Sequence, residues 1–232
     1  MGFESAVVLV TRATGALGQE FVAAFLREGA ARVYAAGDGG RDWADARVVP
    51  LEFDERRPAD IRRLRDIATD VTVVVRSIAP EPLPVPILAI DDESVGDMLS
   101  EHALGAVRLA RALGPAIARN GGGVFAVVQS VQAWISANGA YAPGQAALWS
   151  VTNALRVELR YAGIHVLGVV LGLVMSEATG DRAHPRTDPG VVVGLTLEAI
   201  SARKYELLVD EYSRIVKSRL AEGLQVMYPE LG

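Results

Sequence analysis

The chain has 232 residues, of which 50% are hydrophobic and 22% charged, with a net charge of -5 and no cysteine. This length and composition suit one α/β domain with a substantial core and exclude wholesale disorder. The acidic balance excludes the basic face that is typical of nucleic-acid-binding proteins, and the absence of cysteine excludes disulfides and thiolate chemistry.

Valine-rich apolar runs alternate with helical stretches from one end of the chain to the other. Strands are predicted at residues 6–11, 32–36, 48–53, 71–75, 124–128, 164–171 and 205–209, and helices at 17–28, 58–68, 93–119, 141–161, 187–202 and 213–222. A proline-rich stretch at 80–86 predicts an extended surface loop. The alternation indicates βαβ units, so we expect a single Rossmann-like domain over residues 1–232, with a doubly wound parallel sheet of about seven strands and helices on both faces.

Several polar or charged residues come directly after these strands: Thr11, Asp38, Asp54, Arg76 and Ser130. In an open parallel sheet, ligands bind beyond the carboxyl ends of the strands, at the point where the strand order reverses. We therefore expect these side chains to converge on one cleft.

A hydroxyl and a phenol stand close together in the sequence around the fifth strand. Ser130 follows that strand, and Tyr141 begins the next predicted helix. Facing one cleft, the two groups would form an acid/base arrangement. Gln145 lies one helical turn after Tyr141 and is therefore expected on the same face of the helix.

The order of these elements, together with the segments VLVTRATGALG, YAPGQAALWSVTNALRVEL and GIHVLGVVLGLV, resembles the short-chain dehydrogenase/reductase family over essentially the whole chain. The resemblance implies a Rossmann fold, an NAD(P) cofactor, and catalytic roles for Ser130 and Tyr141. It also places His102 where the family has a catalytic asparagine, and Gln145 where it has the active-site lysine.

The cofactor motif departs from the family pattern T-G-x-x-x-G-x-G. This chain reads TRATGALG over residues 11–18, so Arg12 and Ala16 replace the first two glycines and only Gly18 remains. The first glycine makes the tight turn and the second lets the backbone approach a pyrophosphate, so a side chain at either place occupies volume that a dinucleotide needs.

Other cofactor positions also differ. The family's N-N-A-G after the fourth strand reads RSIA here, beginning at Arg76. We therefore expect no nicotinamide cofactor. If one binds, we expect NAD rather than NADP, because Asp38 would repel a 2′-phosphate. The alternative for Asp38 is an ordinary turn aspartate in the segment GDGG. Asp54 matches the family's adenine-contacting aspartate, and the alternative is an ordinary polar residue at a strand end.

The remaining groups suggest proton chemistry. Without a cation nearby, a phenol keeps a pKa of about 10, so Tyr141 is expected to be a proton donor at neutral pH. With Ser130 it could place two donors on one carbonyl oxygen. His102 is a candidate base; the alternative is a histidine packed against the fifth strand or bonded to a backbone carbonyl.

The two arginines at strand ends allow two interpretations. Arg12 and Arg76 could bind a substrate carboxylate or phosphate. Alternatively, they pair with Asp38 and Asp54 and fill an emptied nucleotide pocket.

Three functions are compatible with this pattern. The first is an enzyme that has lost redox chemistry and uses Tyr141, Ser130 and His102 for isomerisation, dehydration or cyclisation. The second is a divergent NAD(H)-dependent oxidoreductase. The third is a catalytically silent homologue that pairs with an active one, since the long helices at 93–119 and 141–161 commonly pack across a dimer axis in the family.

The remaining sequence features concern metal binding, membranes, location in the cell and partners. The histidines at positions 102, 165 and 184 lack metal-ligand spacing, so no metal site is expected. The longest apolar run, at 164–175, is too short to span a bilayer, and the N-terminus lacks a basic region. We expect a cytoplasmic protein with a small-molecule substrate and no nucleic-acid or membrane partner, acting as a homodimer or with a homologue.

Overall fold

A computed structural model describes residues 2–39, 41–77, 85–136, 139, 141–175 and 186–231. Its central sheet has seven parallel strands in the order β3-β2-β1-β4-β5-β6-β9. They are β1 (Val7–Thr11), β2 (Arg32–Gly37), β3 (Val48–Glu52), β4 (Val73–Arg76), β5 (Gly123–Ser130), β6 (Ile164–Leu171) and β9 (Glu206–Leu208), with β7 (Leu173–Val174) and β8 (Arg186–Thr187) forming a separate pair. The predicted Rossmann-like fold is confirmed.

Helices cover both faces of this sheet. They are α1 (Ala16–Arg27), α2 (Pro58–Ile67), α3 (Asp92–Leu99), α4 (Gly105–Arg119), α5 (Tyr141–Leu159), α6 (Pro189–Ser201), α7 (Glu211–Ser218) and the short α8 (Leu224–Met227). One apolar cluster joins α1 and α6 to the sheet, and a second joins α2, α4 and α5 to its other face.

The strand sequences explain why both faces are covered. Along β1, Val8 and Val10 belong to one cluster, whereas Leu9 between them belongs to the other. All three are fully buried. Because successive side chains of a strand point to opposite faces, a continuous apolar run needs a helical layer on each side. Each buried side chain of this kind contributes roughly 1.5–3 kcal/mol, which fixes the sheet and therefore the positions of the strand ends.

The predicted helix over 93–119 is the main departure from expectation. It is interrupted by a π-turn at Ser100–Leu104, between α3 and α4. The amide of Gly105 donates to the carbonyl of Ser100, five residues earlier, which inserts one residue into the helix. Hydrophobic periodicity does not reveal one inserted residue, and His102 lies within this turn.

Two smaller differences have local causes. β4 covers Val73–Arg76 rather than 71–75, with Arg76 buried as its last residue. α7 begins at Glu211 because Asp210 caps it, accepting from the Ser213 amide at 2.7 Å. Most of the predicted loop at 80–86, and the histidine at position 184, lie outside the described residues.

The strand order reverses between β1 and β4, which run side by side in the middle of the sheet. At their carboxyl ends, the Ser77 amide donates to Thr11 Oγ1 at 3.1 Å, which ties the two ends together. The candidate site lies at this edge, as expected for an open parallel sheet.

Candidate active site

The structure brings together all four residues that were predicted to be catalytic. Ser130 ends β5, Tyr141 begins α5, Gln145 follows one turn later, and His102 comes from the π-turn. The His102 ring packs edge-on against the Tyr141 ring, with centroids 5.1 Å apart and an interplanar angle of 89°. None of the four residues is more than 6% exposed. They form a desolvated cluster, hereafter the buried cluster.

Gln145 is at the centre of the buried cluster and has no exposed surface. Its Oε1 accepts a hydrogen bond from the Ser130 amide at 2.8 Å, and its Nε2 lies 3.1 Å from His102 Nδ1. A backbone N–H can only donate, so the atom facing Ser130 must be the amide oxygen. The amide orientation is therefore fixed, and Nε2 donates to His102.

This orientation also determines the state of His102. Because Nδ1 accepts from Gln145, it carries a lone pair and the ring proton lies on Nε2. Burial, together with the positive charges of Arg76 and Arg12 and against the opposing effect of Glu55, lowers the pKa of His102 to about 4. His102 is therefore a neutral imidazole at neutral pH.

Two observations bear on the alternatives for His102. Its partner among the described residues is the side chain of Gln145, and not a backbone carbonyl. The Nδ1 lone pair that a general base would use is occupied by this hydrogen bond, and burial opposes the charge that a base must acquire. The contacts suit a group that orients its neighbours.

The Ser130 hydroxyl retains a hydrogen that it can donate. Its Oγ accepts from the Gln132 amide at 3.1 Å and so begins the short helix Val131–Ala133. That bond uses an oxygen lone pair and leaves the hydroxyl hydrogen for another acceptor. Ser130 can therefore hydrogen-bond to a substrate oxygen without losing its own anchor.

Arg12 occupies the position of the family's first glycine with a glycine-like backbone. Its φ is 50°, in the left-handed region. Its side chain forms an ion pair with Glu101, which belongs to the π-turn. The predicted pairing of Arg12 with Asp38 or Asp54 is wrong, because the ion-pair partner of Arg12 among the described residues is Glu101. The tight turn of the family is thus retained, with a side chain projecting from it.

Arg76 is buried together with an acid that the sequence interpretation missed. Its Nε and Nη2 bond to Glu55 Oε2 and Oε1 at 3.0 and 2.6 Å, and the side chains are 3% and 8% exposed. Arg76 Nη2 also donates to the Glu101 carbonyl at 2.7 Å. The predicted pairing with Asp38 or Asp54 is wrong here too: Asp54 bonds instead to Arg56, at 2.9 Å between Oδ2 and Nη2.

Glu55 and Glu101 are the acids at the candidate site that the sequence interpretation did not find. A signal for Glu55 was present: a buried arginine needs a buried acid, and Glu55 directly follows Asp54 at the end of β3. No comparable signal existed for Glu101, since its approach to Arg12 depends on the π-turn.

A cavity of about 170 Å³, hereafter the outer cavity, lies at the carboxyl ends of β1, β2 and β3. Its wall includes the predicted residues Thr11, Arg12, Asp38 and Asp54. The guanidinium of Arg56 lowers the pKa of Asp54 by hydrogen bonding to its carboxylate. Asp38 is exposed. The wall carries more acidic than basic side chains, which disfavours a ligand with a terminal phosphate at this place.

Gly18 is required by the turn rather than by a ligand. A Cβ atom on it would lie 2.1 Å from the Arg12 carbonyl oxygen, so α1 packs directly on the turn. Ala16, at the place of the second glycine, is exposed at the start of α1.

Comparisons with known proteins agree with this architecture. The family model for short chain dehydrogenases matches residues 6–187. A short chain dehydrogenase from Burkholderia cenocepacia, solved in complex with NADP, has a TM-score of 0.91 and 25% identity, covering 100% of this chain and 99% of that one. A family member from Burkholderia phymatum, in complex with NAD, has a TM-score of 0.80 over 94% of each chain; its 19% identity shows the fold alone.

A curated relative, an uncharacterized oxidoreductase called YbbO from Escherichia coli K12, is 31% identical over 119 residues, or 48% of this chain. That match spans only 44% of the relative's length. Among the described helices, none is both long and apolar enough to cross a membrane. Because the family match covers most of the chain, the chain belongs to the short-chain dehydrogenase family.

Proposed function

We propose that this chain is an enzyme that acts on a carbonyl- or hydroxyl-bearing small molecule without transferring hydride. Ser130 and Tyr141 hydrogen-bond to one substrate oxygen, and the reaction is an isomerisation, dehydration or cyclisation. The observation that carries the proposal is the state of Gln145, which is neutral, fully buried and bonded to both Ser130 and His102.

The contacts of the site do not fit the nicotinamide half of a dinucleotide. In the family that this chain resembles, the lysine that aligns with Gln145 has two tasks. It binds the nicotinamide ribose, and its charge lowers the pKa of the tyrosine. An uncharged amide cannot perform the second task. Arg12 and Glu101, which form an ion pair, both line the outer cavity, and Glu101 directly precedes His102 in the π-turn. A dinucleotide that reached from this cavity to the buried cluster would therefore have to accommodate that ion pair.

The same contacts favour stabilisation of an oxygen that gains negative charge. The Ser130 hydroxyl hydrogen is available for donation, and Tyr141 supplies a phenol in the same buried cluster. Hydrogen-bond donors that are fixed in a water-poor site need no reorganisation as charge develops on the substrate. His102 and Gln145 are positioning residues in this scheme, because they hold one another and the Ser130 backbone.

Enolisation offers a test that needs no cofactor. A panel of ketones and hydroxyketones is incubated with the protein in D₂O, and deuterium exchange next to the carbonyl is followed by NMR. We expect the wild type to accelerate exchange for at least one compound class. Ser130→Ala and Tyr141→Phe should each lower that rate by roughly 10²–10³-fold, the usual effect of losing one oxyanion donor.

Ser150→Ala is the matched control, since Ser150 lies exposed on the same helix as Tyr141. Its exchange rate should equal that of the wild type. Exchange that survives both Ser130→Ala and Tyr141→Phe would refute the proposed site.

An NAD(H)-dependent oxidoreductase is the second candidate, and the open outer cavity favours it. Asp38 and Asp54 stand where an adenosine would lie, and the solved Burkholderia cenocepacia relative holds NADP. Calorimetric titration with NADH and NADPH separates the candidates. Saturable NADH binding that Asp38→Ala weakens, together with reduction of a carbonyl, would support this second function instead.

We further propose that the protein forms dimers through the faces of α4 and α5. Leu104, just before α4, is 49% exposed, and Val157 near the end of α5 is 57% exposed. Burial of such side chains in a second copy would be favourable. Sedimentation analysis of the wild type and Val157→Asp measures this directly, and a wild-type monomer at micromolar concentration would contradict it.

A further inference from the structure

We propose that the buried Arg76–Glu55 ion pair is a positioning device, which holds the π-turn at Ser100–Leu104 in the register that places His102 against Gln145 and Tyr141. The inference rests on the proposed function, because it assigns a task within the same site. Its test is a structural readout of His102, which requires neither substrate nor cofactor.

The geometry of Arg76 is that of a fixed fork. Two of its nitrogens bond to the two Glu55 oxygens at 3.0 and 2.6 Å, which fixes the plane of the guanidinium. In that plane, Nη2 has a second hydrogen bond, 2.7 Å long, to the carbonyl oxygen of Glu101. Glu55 therefore orients the arginine, and the arginine holds the backbone next to His102.

The held backbone belongs to the π-turn. There the Gly105 amide donates to the Ser100 carbonyl, one residue further back than in an α-helix. Each residue of an α-helix rotates the chain by about 100°. Without the inserted residue, His102 would face roughly that far from its present direction, away from Gln145. A donor that is aimed at the Glu101 carbonyl stabilises the register with the insertion.

Two further contacts connect the same turn to the strand ends. The Glu101 carboxylate pairs with Arg12, in the turn after β1. Glu101 is therefore held at two points, through its carbonyl by Arg76 of β4 and through its side chain by Arg12. A Cβ atom on Gly105 would lie 2.8 Å from Glu55 Cδ and 3.0 Å from Arg76 Nη2. The helix backbone at Gly105 thus lies directly on the ion pair.

Stability alone does not explain a buried ion pair at this place. Well-packed apolar residues of similar volume are often as stable as such a pair, whereas removal of one partner leaves an uncompensated charge. An apolar pair cannot donate a hydrogen bond to the Glu101 carbonyl. The fork of Arg76 is thus suited to setting the helix register.

The test replaces both partners, as Arg76→Met with Glu55→Leu, so that no buried charge is left unpaired. The tautomer of His102 is read from long-range ¹H–¹⁵N NMR spectra of the histidine-labelled protein. The wild type should show a single tautomer of His102 with the proton on Nε2. The double variant should stay folded but show a mixture of the two His102 tautomers.

His165 provides an internal control in the same spectrum. Its Nε2 lies 2.9 Å from the Lys204 carbonyl, which can only accept, so its tautomer should be the same in both proteins. The matched control variant is Asp54→Asn with Arg56→Gln, an ion pair at the same strand end with a more exposed arginine. It should leave the His102 signals unchanged.

A folded double variant in which His102 keeps its single Nε2–H tautomer would overturn the proposal. If the double variant does not fold, Arg76→Lys decides, because one ammonium cannot keep both bonds to Glu55 and the bond to Glu101 at these positions. Partial loss of the tautomer supports the proposal, and an unchanged spectrum overturns it. Absence of deuterium exchange by a wild type with the expected His102 spectrum would reject the proposed function and leave this inference standing.

Discussion

Acidification tests the neutral state of His102, and its effect on stability has a definite sign and size. Burial and the charges of Arg76 and Arg12 lower the His102 pKa from 6.5 to about 4. Between these values the unfolded chain binds a proton at this residue and the folded chain does not. The stability that depends on neutral His102 is complete above pH 6.5 and is lost as the pH falls toward 4.

The magnitude follows from the difference between the two pKa values. Each unit corresponds to 1.36 kcal/mol, so a fall from 6.5 to about 4 implies a loss of about 3 kcal/mol across the window. Because His102 is only 6% exposed, solvent screens this effect little. A loss of that size is a large part of the 5–15 kcal/mol that is typical of a folded domain.

Urea unfolding at several pH values, with the wild type and His102→Gln compared, isolates the contribution of His102. The glutamine variant cannot take up the proton but still offers an oxygen to Gln145. Burial also lowers the pKa of His165, but that residue is common to both proteins and cancels in the difference. The free energy of unfolding of the wild type, relative to that of His102→Gln, should fall by about 3 kcal/mol as the pH falls from 6.5 to 4. Parallel curves would refute a neutral, desolvated His102.

The other predictions concern the backbone and the amide. Arg12→Gly should raise the free energy of unfolding by up to about 1 kcal/mol in urea titrations, since it relieves a left-handed residue at φ 50° and loses only a partly exposed ion pair. Gly18→Ala should cost roughly 1–3 kcal/mol, because its Cβ would lie 2.1 Å from the Arg12 carbonyl oxygen; Gly15→Ala, at 3.5 Å from the same atom, is the mild control. Gln145→Leu should cost about 1–3 kcal/mol for each buried group that it leaves without a partner, and equal stability of the variant and the wild type would contradict the hydrogen bonds assigned to the amide.

The parallel sheet and its cleft could be predicted because they depend on short-range patterns. Valine-rich runs such as Val7–Thr11 are buried on both faces whichever strands they pair with, and parallel strands expose their carboxyl ends at one edge. The convergence of Ser130, Tyr141, His102 and Gln145 followed from that topology together with the family resemblance.

The partners of the charged residues could not be predicted in the same way. Arg76 pairs with Glu55 and Arg12 with Glu101, although Asp38 and Asp54 were the acids nearest the predicted strand ends. The choice depends on where the π-turn brings Glu101, and one inserted residue in a long helix leaves no mark on hydrophobic periodicity. The neutral charge of Gln145 was evident from the sequence, but its bonds required the coordinates.

Transfer of deuterium from NADH deuterated on its nicotinamide ring tests the central claim most directly. The wild type is incubated with the carbonyl panel and the deuterated cofactor in ordinary water, and the products are analysed by mass spectrometry. If Gln145 has replaced the charged lysine of a hydride-transfer site, no product should contain deuterium from the cofactor. A deuterated alcohol that is formed by the wild type and lost in Tyr141→Phe would contradict the proposal and establish a dehydrogenase.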